Sequence, residues 1–395
     1  MGDPVTPKIT DGKALRALAE QRPLKVLGVM SGTSMDGVDV KRVTTDGEAI
    51  AVPGGAAAGI IADADRAVIR AAEADGRAAA TGATRTAALR AAESVVDRLH
   101  GDAIAAWFAA HGEAPNGDGP NGEGGAVDLI GWHGQTIAHA PDRGMTMQLG
   151  DPQALADRFG VPVVSDFRSA DVAAGGEGAP LVPVYHRALA RRHGLAEPLV
   201  MLNLGGVANI TYIDGDTLIA CDTGPANALI DDAMTEVGER FDAGGAMAAQ
   251  GRVDAAALAA LMDHPFFRRP PPKSLDRNAF SAAPVAGLGT ADKVATLTRF
   301  TVETVALAIE ALPKRPVQVL VLGGGAFNTT LVAWLEERLG LPLTPDPRFA
   351  AADIEAEAFA YMAVRTVRGL AISFPGTTRA PEPMTGGRIT FPSAR

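Results

Sequence analysis

The densest chemistry in this 395-residue chain lies between Ser165 and Pro180, where Arg168 and Asp171 stand three apart and Gly175, Gly176 and Gly178 follow at once. An Arg–Asp pair alone would serve equally well in a salt-bridged loop, and residue types leave that reading open. Three glycines in four residues point instead to backbone opened for an approaching ligand. Asp171 is then the best general-base candidate in the chain. A second cluster is the run Met30-Ser31-Gly32-Thr33-Ser34-Met35-Asp36-Gly37-Val38-Asp39. A hairpin needs only a two-residue loop, which would explain the glycines but not several hydroxyls and two carboxylates. The segment Gly32, Thr33, Ser34, Met35, Asp36, Gly37, Val38 and Asp39 reads as a loop whose amides and hydroxyls wrap a phosphate. Asp36 and Asp39 would repel a bare nucleotide, so a Mg²⁺–phosphate complex is implied.

Two further glycine turns, Gly205-Gly206 and Gly323-Gly324-Gly325, end apolar strands, and Asp222 with Gly224 precedes Pro225, a residue suited to a helix start. Each is weak singly; together they fit a nucleotide cleft lined by backbone amides. In Gly131-Trp132-His133-Gly134-Gln135-Thr136, the His, Gln and Thr suit a polyol or amide ligand. His133 and His139 lack the i,i+4 spacing of a zinc helix, and no HExxH occurs. Neither a GxxxxGK[ST] loop nor a protein-kinase catalytic loop is present.

Elements must hold these segments in place. Strands are expected at Lys25–Met30, Val38–Val43 and Glu48–Val52, the last ending at Pro53, then Ala-rich helices near Ala62–Ala74 and Thr84–His111. Gly112–Gly125 is too rich in Gly, Pro and Asn to pack and reads as a surface loop. A buried strand resumes at Val127–Gly131. The second half reopens in the same way: strand Leu199–Leu204, glycine turn, return strand Ala208–Ile213, then Leu218–Asp222, helices from Pro225 and near Lys293–Leu312, and strand Val317–Leu322. This suggests a duplicated α/β fold. Its expected divisions are a leader at 1–23, a first lobe at 24–197, a second at 198–369, and a C-terminal segment, 370–395, returning to the first.

Composition bounds the partners. Hydrophobic residues make up 47% and charged residues 21%, as in ordinary globular chains. A net charge of −10 argues against nucleic acid and anionic membranes. One cysteine, Cys221, forbids an internal disulfide. No apolar run approaches the ~18 residues of a membrane span, and the first ten residues carry no signal-peptide core. A cytoplasmic enzyme is expected, with monomer and homodimer both left open.

The ordered motifs resemble those of the anhydro-N-acetylmuramic acid kinase family. They are Met30 to Gly37, His133-Gly134-Gln135-Thr136, Asp166-Phe167-Arg168 with Asp171 to Gly176, Gly178 to Pro183, and Asp222 to Pro225. Lys273-Ser274, Gly323 to Asn328, Glu355 with Ala358-Phe359-Ala360, and Thr385-Gly386 complete the set. The resemblance implies a two-lobed actin/hexokinase-like, ribonuclease H-like fold with an interlobe ATP cleft. It also implies an activity in peptidoglycan recycling: water opens 1,6-anhydro-N-acetylmuramic acid and O6 takes the γ-phosphoryl of Mg·ATP. Asp171 would be the base and Glu355 would help position the water. His133, Gln135 and Arg168 would line the sugar site, and Gly32–Asp39, with Gly205, Gly206, Asp222, Gly224 and Gly323–Gly325, would hold ATP. The metal ligands stay open. Glu177 stands where the family usually has glutamine. The rival readings are an ordinary sugar kinase, in which Asp171 would deprotonate a hydroxyl, and a non-catalytic actin-like nucleotide module.

Overall fold

Strand β1 (Leu24–Ser31) is almost wholly apolar and buried along its length, as a strand covered on both faces must be. It runs antiparallel to β2 (Gly37–Thr45), whose residues largely alternate between buried and half-buried, and β2 pairs antiparallel with β3 (Ile50–Ile60). On its other side β1 pairs parallel with β4 (Leu129–Ala140), and β4 with β6 (Val163–Ser165). β5 (Met145–Leu149) folds back on β4, and a last strand, β12 (Arg388–Thr390), lies antiparallel to β6. The computed structural model describes residues 11–78, 85–111, 127–275, 280–345 and 351–394. The expected loop Gly112–Gly125 and the first ten residues of the expected leader lie outside them.

The second sheet contains β7 (Leu199–Leu204), β8 (Val207–Asp214), β9 (Thr217–Pro225), β10 (Gln318–Leu322) and β11 (Leu343–Pro345), in the order β11-β10-β7-β8-β9. Its two antiparallel pairings, β7 with β8 and β8 with β9, and its two parallel ones, β7 with β10 and β10 with β11, repeat those of β1, β2, β3, β4 and β6 strand for strand. The duplication expected from the sequence is present as topology. The first core gathers Val29, Val40, Trp107, Ile130 and Trp132 between sheet and helices. The second packs Leu202, Ile210 and Val321 against the helices Thr290–Glu310 and Thr329–Leu339.

The chain divides into one unit of Met1–Arg192 with Ala352–Arg395 and another of His193–Ala351. The expected second lobe ran from 198 to 369; the helix Ala351–Arg368, from Ala352 onward, groups with the first unit. The reason is a pair of glycines facing each other across β1 and β4, Gly28 and Gly131. A Cβ on Gly28 would lie 1.7 Å from the Ala356 carbonyl oxygen, and one on Gly131 would lie 2.3 Å from that of Phe359. The helix therefore sits directly on the sheet backbone. Arg365 and Arg368 at its end donate to the carbonyls of Gly47 and Asp46, 2.6 and 2.7 Å away.

Three local expectations also change. β3 continues past Pro53 to Ile60, which an edge strand tolerates because one row of its N–H groups has no ladder partner. A helix, Gly12–Gln21, occupies part of the expected leader at 1–23, capped by Asp11, which accepts from the Ala14 N–H at 2.8 Å. The segment His133–Thr136, expected after a strand, lies inside β4.

Candidate active site

Asp171 sits in the short helix Ser169–Ala173 that follows β6, with only 2% of its surface exposed. Its Oδ1 accepts from the Gly178 N–H at 2.6 Å and its Oδ2 from the Thr378 hydroxyl at 2.6 Å. Each oxygen thus uses one lone pair and keeps another. The glycines of the adjoining loop have separate reasons to be there. Gly175 and Gly178 have φ of +92° and +65°, and a Cβ on Gly176 would fall 2.2 Å from Asp171 Oδ1.

Arg168 does not bond to Asp171. Its Nη1 donates to the Gly178 carbonyl at 2.7 Å and its Nε to His133 Nε2 at 3.0 Å. The surrounding protein pulls the guanidinium down to about 10, while Glu355 and Asp171 favour its charge. The salt-bridged-loop alternative is therefore not what the geometry contains. His133 is buried, and burial first, then the Arg168 charge, hold its pKa well below the usual range. Neutral His133 donates from Nδ1 to the Gly134 carbonyl at 2.9 Å and accepts from Arg168 at Nε2. Both ring nitrogens are thus engaged, one by the Gly134 carbonyl and one by Arg168. Its ring also packs 4.6 Å from Phe359, on the helix that carries Glu355. Glu355 itself is exposed, yet neighbouring protein raises its pKa above the usual carboxylate value. Arg168 opposes that rise and Asp39 adds to it.

The turn after β1 is held from beneath by a buried relay. Trp132 Nε1–H donates to His100 Nδ1 at 2.6 Å, which leaves the His100 proton on Nε2, facing Ser31 Oγ at 2.9 Å. Ser31 donates to Gln135 Oε1 at 2.8 Å, and Gln135 Nε2 donates to the Gly32 carbonyl at 3.2 Å. Burial drops His100 to about 3, so the ring is neutral, as the relay requires. Gln135, fully buried, supports the turn and does not present itself to solvent. Above the relay Thr33, Ser34 and Asp36 are exposed, Gly37 and Asp39 are half-buried, and Met35 and Val38 point inward. Sequence reasoning missed His100, which sits at helical spacing on an Ala-rich helix, and Thr378, 207 residues from its partner.

In the second unit the Gly205-Gly206 turn and the Gly323–Gly325 turn come together at the ends of β7 and β10. The Gly205 and Gly206 carbonyls accept from the Asn227 and Ala226 N–H groups at 3.0 and 2.9 Å. Gly323 has φ +79°, and a Cβ there would meet Asn203 Oδ1 at 2.5 Å. Asp222 accepts from the Leu275 N–H at 2.7 Å, so it fastens the Lys273–Leu275 segment beside β9. A Cβ on Gly224 would fall 2.8 Å from Thr304 Oγ1. Among the described residues no group of three or more His, Cys, Asp or Glu side chains could hold a metal. Mg²⁺ bound through nucleotide phosphates needs only one or two carboxylates; Asp36 stands exposed in the turn after β1 and Asp39 half-buried at the start of β2. No helix among the described residues is long and apolar enough to cross a membrane.

A strand order used twice, each time with a glycine turn after its first strand, places the chain in the actin/hexokinase-like class of α/β proteins. The model of the family "Anhydro-N-acetylmuramic acid kinase" matches residues 24–392, and the chain belongs to that family. It is 47% identical to the anhydro-N-acetylmuramic acid kinase of Rhodopseudomonas palustris (strain BisB18), covering 93% of this chain and 100% of that one. It is 48% identical to that of Methylobacterium nodulans, with the same coverage. Among solved structures, a xyloylose kinase from Brucella ovis aligns with a TM-score of 0.46 at 11% identity, over 93% of this chain and 94% of the other.

Proposed function

We propose that the protein opens 1,6-anhydro-N-acetylmuramic acid with water and phosphorylates it at O6 from ATP, yielding N-acetylmuramic acid 6-phosphate and ADP for cell-wall recycling in the cytoplasm. The observation that carries the reading is the Asp171 carboxylate, buried, held by two donors and kept out of an ion pair with Arg168. A carboxylate paired with a guanidinium would be a weak base; this one retains lone pairs for a proton.

In this reading Asp171 takes a proton from the attacking water as its oxygen bonds to the anomeric carbon. The bond from that carbon to the bridging oxygen breaks, and that oxygen, now O6, attacks the γ-phosphorus, so ADP leaves. An inverting glycosidase needs an acid for its leaving oxygen; here the phosphoryl group caps it, and one carboxylate suffices. Arg168, whose orientation His133 sets, stabilises negative charge beside the base, and Glu355 orients the water. Thr33, Ser34 and the amides of Gly32–Asp39 bind phosphate oxygens, with Asp36 and Asp39 the carboxylates for Mg²⁺, which when bound neutralises phosphate charge. Gly205, Gly206, Gly224 and Gly323–Gly325 offer close backbone approach to the nucleotide. Asp222 fastens the Lys273–Leu275 segment beside them.

The test is incubation with ATP, Mg²⁺ and either the anhydro sugar or its ring-opened form. Sugar phosphate from the anhydro form alone is the expected result. Turnover of only the open form would make this an ordinary sugar kinase, and turnover of neither would make it a nucleotide-binding module.

A further inference from the structure

Thr378 is fully buried, and no catalytic reading of the sequence singles it out. Its Oγ1 stands 2.6 Å from Asp171 Oδ2 and 3.4 Å from the Phe374 carbonyl. A threonine has one proton to give, and the nearer, charged acceptor takes it. The opposite oxygen of Asp171 is held by the Gly178 N–H. These two donors come from chain segments that are themselves tied together. The Glu177 N–H donates to the Thr378 carbonyl at 2.5 Å, and Arg379 Nη1 lies 3.3 Å from Glu177 Oε1. Thr378 closes the short helix Pro375–Thr378, after which Arg379 turns the chain at φ +59°. At the other end of that helix the Phe374 ring is covered by the Arg187 guanidinium, 5.0 Å from its centroid.

We propose that Thr378 is a positioning residue for the reaction. It fixes the rotation of the Asp171 carboxylate, so that the lone pair left on each oxygen has one direction. The strap formed by Glu177 and Arg379 keeps Thr378 at that distance. With the hydroxyl removed, Asp171 keeps only the Gly178 donor and its carboxylate plane is free to swing. The proton is then accepted from a population of orientations of which few are productive. Packing by the threonine methyl group would stabilise the fold but would not aim a carboxylate, so two variants separate the roles. Thr378→Val keeps the shape and loses the donor; Thr378→Ser keeps the donor and loses the methyl group.

The inference rests on Asp171 being the base, and the experiment keeps the two apart. Steady-state turnover of the anhydro sugar is measured for Thr378→Val, Thr378→Ser, Asp171→Asn and the double variant Asp171→Asn with Thr378→Val, beside each melting temperature. Misplacing a reacting group by about 1 Å costs up to ~10²-fold, so Thr378→Val is expected to lose about 10- to 100-fold in kcat with KM for both substrates nearly unchanged. Thr378→Ser should restore kcat, and Thr378→Val should cost nothing further in the Asp171→Asn background. If Thr378→Val does not fold, Thr378→Ala is read in its place with the same expectation. Wild-type kcat in Thr378→Val, or equal losses in the Val and Ser variants, overturns the positioning role while the base stands. Retained turnover in Asp171→Asn overturns the base itself.

Discussion

Gly176→Ala moves the Asp171 carboxylate, the proposed base, without changing its chemistry. A Cβ at Gly176 would lie 2.2 Å from Asp171 Oδ1, 2.7 Å from Cγ and 3.0 Å from Oδ2, where ordinary contact begins at 3.4 Å. The carboxylate would have to retreat by about 1 Å, the scale of displacement that costs ~10²-fold in rate. It has no free path, because Gly178 N and Thr378 Oγ1 hold it at 2.6 Å on both oxygens. Retreat therefore breaks one of these bonds, a stability loss of about 1 kcal/mol, against about 2.7 kcal/mol added to the activation barrier. Gly176 has no left-handed φ, so the substitution adds no backbone strain. Gly215→Ala, in the hairpin between β8 and β9, is the matching control. Its φ is +60° and an added Cβ would meet nothing within 4 Å, so the substitution should cost about 1–2 kcal/mol of stability and leave kcat alone. Single-turnover product formation is measured beside thermal unfolding. A Gly176→Ala protein with kcat within threefold of wild type would refute the reasoning, since the carboxylate could then not matter where it stands.

Asp171→Asn should lose ~10²–10⁴-fold in turnover while its melting temperature stays near wild type, because Thr378 can reverse its hydroxyl toward Phe374; a destabilised but active protein would return Asp171 to a structural role. Gly28→Ala should instead strike the fold, since its Cβ would lie 1.7 Å from the Ala356 carbonyl; overpacking of about 1–3 kcal/mol or more would appear as a lower denaturant midpoint, and an unchanged midpoint would mean the helix does not rest on the sheet as described. Buried His100, His186 and His133 have pKa values lowered by burial, the first two to about 3 and about 4, against 6.5 for an exposed ring. The unfolded chain thus takes up these protons first, so stability is complete above pH ~6.5 and falls below it by about 1.4 kcal/mol per pH unit for each histidine; a melting temperature flat from pH 7 down to 5 would contradict this.

What could be read from the sequence was local. Arg168, Asp171 and the glycines behind them are crowded into one segment, and the strand–glycine turn–strand ribbons are continuous stretches with clear apolar patterning. Direction was not legible. His133 and Gln135 were read as ligand donors because of what they are, yet both spend their hydrogen bonds inward, on Arg168 and on the Gly32 turn. Nothing local in 351–368 indicated the sheet those residues cover. The signal that could have found it was glycine inside two buried strands, Gly28 and Gly131, where a side chain would normally pack. Thr378 gave no signal, because its meaning depends on a residue 207 positions away.

The duplication and the chemistry are separable in the sheets themselves. Both sheets repeat the same five strands and place a glycine turn after the first, Gly32 after β1 and Gly205-Gly206 after β7. Among the described residues the first sheet alone adds β5 beside β4 and β12 beside β6. The helix bearing Asp171 leaves β6 and packs against β5, and the segment bearing Thr378 leads into β12. Asp171 and Thr378 thus lie beside the strands added to the repeat, while the glycine turns stand on the repeat itself. Substitutions at Asp171, Gly176 and Thr378 should therefore change turnover with modest effects on folding. Those at Gly28 and Gly131, where the repeat meets the helix Ala351–Arg368, should change folding first and activity only as a consequence.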